Sequence, residues 1–115
     1  MPTVNIATQS DADYIRGFVY KMRDGTPIDL TGNAMRMGIR RHASDASEQM
    51  LLTTENGGLE ITDAVNGRFT LEIEYGALRR LAPGDYAHSL IRIRDDGVRL
   101  RVWSGALSHK AGASR

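Results

Sequence analysis

The run Leu81-Ala82-Pro83-Gly84-Asp85-Tyr86 joins a short turn, a Pro-Gly pair and a tyrosine that opens a strand. Pro83 cannot continue a helix, and Gly84 supplies backbone freedom at the turn. A tyrosine placed there packs its ring inward while its hydroxyl bonds a backbone carbonyl a few residues upstream. This is the tyrosine corner of two-sheet sandwiches, and Leu81, Pro83, Gly84 and Tyr86 are its parts. Just before it, Tyr75-Gly76-Ala77-Leu78-Arg79-Arg80-Leu81 sets Leu78 and Leu81 three apart. That spacing predicts one short helical turn near residues 75–82, too short to stand as an independent helix, which crosses from one sheet to the other.

The rest of the chain reads as short strands between turns. Asp24-Gly25, Thr31-Gly32-Asn33, Asn56-Gly57-Gly58, Asn66-Gly67 and Asp96-Gly97 supply the turn chemistry. Met35, Met37 and Ile39 alternate with Arg36, Gly38 and Arg40, which predicts a strand with one buried face. Phe69, Leu71 and Ile73 alternate with polar residues in the same way, and Tyr14, Arg16, Phe18 and Tyr20 form one set of an earlier strand. Leu59 with Ile61, and residues 50–53, add shorter strands. The expected fold is all-β, an immunoglobulin-like antiparallel β-sandwich. It occupies residues 1–107 as one domain, with residues 1–12 as an arm or first strand and residues 108–115 as a flexible tail.

The last hairpin decides which side chains face out. Its strands, residues 86–94 and 98–107, flank Asp95-Asp96-Gly97. A two-residue loop sets Arg94 opposite Arg99 and Arg92 opposite Arg101, two like-charge pairs, and turns Tyr86 outward. A three-residue loop pairs Arg92 with Leu100, Leu90 with Val102, Ile93 with Arg99 and Ile91 with Arg101. That register keeps Tyr86 inside and is preferred. It also predicts that Ile91, Ile93 and Trp103 lie on the outer face beside Arg99 and Arg101. Apolar side chains among arginines resemble an interface. Arg36 and Arg40 project from their own strand and extend the basic surface.

Chemistry is sparse. The chain of 115 residues has no cysteine, and its formal net charge is +1. Thiolate metal sites and disulfides are excluded, and nucleic-acid binding is not expected. The three histidines, His42, His88 and His109, form no ligand motif with each other or with carboxylates. His88 is expected to point inward beside Tyr86. No nucleophile–base set or phosphate loop is present, so no catalytic residue, metal, cofactor or small-molecule substrate is expected. No apolar run approaches the roughly 20 residues of a membrane span, and Met1-Pro2-Thr3-Val4-Asn5 does not read as a signal peptide.

The order of motifs resembles a known group. Arg23-Asp24-Gly25-Thr26-Pro27-Ile28-Asp29-Leu30-Thr31-Gly32 leads into Ala34-Met35-Arg36-Met37-Gly38-Ile39-Arg40. Asn56-Gly57-Gly58-Leu59-Glu60-Ile61, Gly67-Arg68-Phe69-Thr70-Leu71, the corner and the closing hairpin follow. This order, over residues 13–107, resembles small tailed-phage and prophage proteins related to the N-terminal immunoglobulin-like domain of upper baseplate proteins. Arg92 departs from it, standing where that pattern carries an apolar residue. The resemblance implies a non-enzymatic structural protein of the virion, in tail, baseplate or neck. Such a protein is made in the bacterial cytoplasm and contacts copies of itself and other virion proteins. Capsid decoration is an alternative role. A carbohydrate- or host-surface-binding module is another, with Trp103, Tyr14, Tyr20 and Tyr75 as its candidate aromatics.

Overall fold

Alternation decides the architecture. In the computed structural model, which describes residues 2–114, every strand with a clean two-residue period buries one row of side chains. The strands are β1 (Ile6–Gln9), β2 (Tyr14–Val19), β3 (Ala34–Arg40), β4 (Met50–Thr53), β5 (Leu59–Asp63) and β6 (Arg68–Ile73). A helical turn, α1 (Tyr75–Leu78), precedes β7 (Gly84–Ile93) and β8 (Arg99–Lys110). Met35, Met37 and Ile39 from β3 meet Phe69, Leu71 and Ile73 from β6 in one core between two sheets.

The larger sheet has the order β1-β8-β7-β3-β4, and the smaller has the order β2-β6-β5. All ladders are antiparallel except the one between β1 and β8. The chain is an all-β, immunoglobulin-like sandwich, as expected. The helical turn is confined to Tyr75–Leu78, where it carries the chain from β6 in one sheet to β7 in the other. Leu78 and Leu81 both enter the core.

The corner forms as expected. Tyr86 is buried, and its hydroxyl donates to the Ala82 carbonyl. Arg41 is the clamp that holds it. The Arg41 guanidinium lies 4.4 Å from the centre of the Tyr86 ring and donates to the carbonyls of Pro83 and Asp85. Gly84 has φ +145, and a Cβ there would sit 2.2 Å from Arg41 Nη1. Only glycine lets the clamp close.

The three-residue hairpin loop is also present. Gly97 has φ +88, its N–H donates to the Arg94 carbonyl, and Arg94 N–H donates to the Val98 carbonyl. The end of the chain departs from the expected flexible tail. Ser108, His109 and Lys110 belong to β8 and pair with β1. Beyond them, Gly112 N–H donates to Ser10 Oγ and Ser114 N–H to Asp11 Oδ2. Small polar residues order here because β1 offers a parallel ladder and the turn after it offers side-chain acceptors. The described residues before Asp13 accordingly contribute a first strand, β1, not a loose arm.

Candidate interaction face

The outer face of β3, β7 and β8 gathers most of the residues singled out for contact. On β3 the inward methionines leave Arg36, Gly38 and Arg40 outside. On β7 the inward Tyr86, His88 and Leu90 leave Ala87, Ser89 and Ile91 outside. Register then sets Arg36 opposite Ile91 and Ile91 opposite Arg101, so one isoleucine lies between two arginines across three strands. Ile93 repeats the theme beside Arg99. Gly38, Ala87, Ser89 and Ser104 supply little side chain, and a shallow hollow of about 720 Å³ opens over them.

Charge in the hollow is one-sided. Arg36, Arg40, Arg99 and Arg101 line it, against the single carboxylate of Glu48. Glu48 reaches in from the β3–β4 connection and pairs with Arg36 at 2.7 Å, with Arg40 at 3.9 Å. Arg40 also donates to the carbonyls of Asp45 and Ala46, which fixes that connection over the sheet. The side chains of Arg99 and Arg101 have no ion-pair or hydrogen-bond partner among the described residues. Two free guanidiniums beside an accessible isoleucine can take a carboxylate or phosphate in a forked pair while the isoleucine buries against carbon.

Trp103 is not on this face. It is 3% exposed and packs in the core, its ring 4.6 Å from Phe18 and 5.8 Å from Phe69. The cause is a β-bulge. The predicted register holds from the turn as far as Ile91 opposite Arg101, then shifts so that Leu90 faces Trp103 and Val102 is the extra residue. Val102 and Trp103 are therefore adjacent and both buried. The expected pair of Leu90 with Val102 does not form; Leu90 faces Trp103 instead. Two consecutive apolar residues ending an alternating run were the available signal of the bulge.

The buried polar groups near the bulge are structural. Trp103 Nε1 donates to His88 Nδ1 at 3.3 Å. Burial holds the His88 imidazole below its ordinary 6.5, against the backbone groups of Ala106 and Val4, which pull the other way. His109 pairs with Thr8 through Nδ1 and Oγ1 at 2.8 Å, also buried. His42 stays outside, near Asp45. Arg92 sits on the inner face close to the turn of the hairpin. It is tolerated there because its guanidinium reaches out over the Tyr20 ring, 5.6 Å from its centre. Among the expected sugar-binding aromatics, Trp103 is enclosed and Tyr14 and Tyr20 pack partly against the core, while Tyr75 is exposed. Among the described residues, no group of three or more histidine and carboxylate side chains is placed to hold a metal ion.

No family model matches the chain, and no curated protein matches it in sequence. Solved structures similar to it include murine CRIg, at 15% identity over 94% of this chain and 92% of that one, with a TM-score of 0.43. The NK cell receptor Nkp44 is similar at 15% identity over 95% and 99% of the two chains, with a TM-score of 0.48. The PmoD soluble domain from Methylocystis sp. ATCC 49242 (Rockwell) is similar at 11% identity over 91% and 76%, with a TM-score of 0.47.

Proposed function

We propose that this protein is a non-enzymatic structural component of a tailed-phage particle, a small sandwich that joins subunits through the basic hollow on β3, β7 and β8. The observation that carries the contact role is the pair of unpartnered side chains, Arg99 and Arg101, flanking Ile91 and Ile93 across one sheet face. Such a surface fits an acidic patch on a neighbouring subunit: arginine forks fix orientation, and the isoleucines supply the apolar contact. The phage setting rests on the resemblance of residues 13–107 to baseplate-related proteins. Position in tail, baseplate or neck follows from that resemblance and not from the hollow. The protein would be made in the bacterial cytoplasm and end in the virion.

The test replaces Arg99 and Arg101 together by glutamate in the phage or prophage that encodes the chain. Both side chains project from the sheet, so folding should change little, within about 0.5 kcal/mol. Purified particles should then contain less than about a tenth of the wild-type amount of the protein, a loss of more than 1.4 kcal/mol in the contact. Wild-type abundance of the folded double variant in particles would remove the hollow from the contact. Absence of the unaltered protein from particles would remove the phage setting.

A further inference from the structure

The smaller sheet has an open edge with its own pairing code. Among the described residues β2 has β6 as its one ladder partner, because the chain before it runs along β8 in the other sheet. Two bonds fix which backbone groups of β2 are free. Tyr20 N–H donates to the Gly67 carbonyl, and Glu72 N–H turns away from β2 to the Gly58 carbonyl of the β5 side. Antiparallel alternation then directs Tyr14, Arg16 and Phe18 toward β6, and turns the N–H and C=O groups of Ile15, Gly17 and Val19 outward. The side chains of those same three residues form the outer surface of the strand. Ile15 is 62% exposed, Val19 is 43% exposed, and a Cβ on Gly17 would meet nothing within 4 Å.

We propose that β2 pairs with β2 of a second copy of this chain, antiparallel and about a two-fold axis at Gly17, to make one continuous six-stranded sheet. Charge and register select this arrangement. Centred on Gly17, Ile15 lies opposite Val19 of the second copy, and Gly17 lies opposite its counterpart. Every outward-turned backbone group then meets one of the opposite kind. Arg16 faces Phe18 of the second copy, which extends the contact it already makes with its own Phe18 ring, 4.8 Å from the guanidinium carbon to the ring centre. Centred on Arg16, the pairing would set two arginines directly against each other, which is unfavourable. Centred on Phe18, it would set the apolar Ile15 against the charged Lys21, beyond the end of β2, where Tyr20 and Met22 already pair with Ile28 and Thr26. The one charge in the strand therefore guards against the Arg16-centred register while permitting this one. The contact lies on the sheet opposite the basic hollow, so it stands or falls apart from the function proposed above.

The chain has no cysteine, which allows a direct test. At the two-fold axis the two Gly17 Cα atoms would lie about 5.5 Å apart, within disulfide range. Purified Gly17→Cys protein should cross-link to a covalent dimer under mild oxidation, and Thr70→Cys, on the same face one strand inward, should not. Sedimentation of the wild-type protein from micromolar to millimolar concentration should show a monomer–dimer equilibrium. Gly17→Pro removes a free edge donor and leaves the ladder to β6 intact, so it should raise the dimer dissociation constant at least about tenfold. Ile15→Lys leaves every backbone group of β2 in place and should do the same by charge. A wild-type protein that stays monomeric at all concentrations would overturn the proposal. So would equal cross-linking at residues 17 and 70, or a dimer indifferent to Ile15→Lys.

Discussion

His88 accepts a hydrogen bond from Trp103 through Nδ1, so that nitrogen carries no proton in the folded protein. Burial opposes the charged imidazole and holds its pKa below 6.5. Between that lowered value and 6.5 the unfolded chain binds more protons than the folded one, so stability falls as pH falls. The contribution is complete above 6.5 and is lost as the pH drops through that value toward the folded pKa. Asp24 and Asp29 are held below 3.8 by hydrogen bonds from Thr26 and Thr31, and their loss begins only in stronger acid. The thermal midpoint should therefore decrease from about pH 7.5 to about pH 5. His88→Gln keeps an acceptor for Trp103 without a titrating group and should flatten that slope. An identical slope in His88→Gln would assign the acid sensitivity elsewhere.

At the scale of elements, local chemistry and core demand compete along β8. The corner was legible because its turn and its hydroxyl bond lie within residues 81–86, with a proline, a glycine and a tyrosine at fixed spacing; the Arg41 clamp, from another part of the chain, was not. The loop at Gly97 was legible for the same reason, since like charges ruled out the other register. The bulge was not. Whether Trp103 joins Val102 inside depends on Phe18 and Phe69, which come from the other sheet and pack against its indole. Alternation counted outward from a turn cannot see that packing. The order of Ser108–Lys110 was hidden for a similar reason, because it depends on a parallel partner about a hundred residues earlier. Placement inside the core gives Trp103 a definite energetic role. Trp103→Ala should destabilise the fold by about 3–5 kcal/mol, read from urea unfolding. A change below about 1 kcal/mol would return the residue to the surface.

At the scale of the whole molecule, the basic face was largely readable: Arg36, Arg40, Ile91, Arg99 and Arg101 do share one surface. Alternation placed each of them on the outer face, and sheet order brought β3, β7 and β8 together. The hollow itself was not readable, because it depends on Glu48 and a connection that Arg40 draws over the sheet. The parallel ladder of β1 and β8 adds a mechanical property. Thr3 bridges Ser104 at one end of the pair, and Gln9 faces Lys110 at the other. Tension applied between Thr3 and Lys110 would slide the two strands past each other, loading all their rungs at once. Tension between Gly84 and Lys110 would instead peel β7 from β8 one rung at a time. Stretched by single-molecule tethers, the protein should rupture at a several-fold higher force in the first geometry, and equal forces would show that the ladder bears no shear. A sandwich strung by its first and last strands in this way can transmit a pull along its length without coming apart.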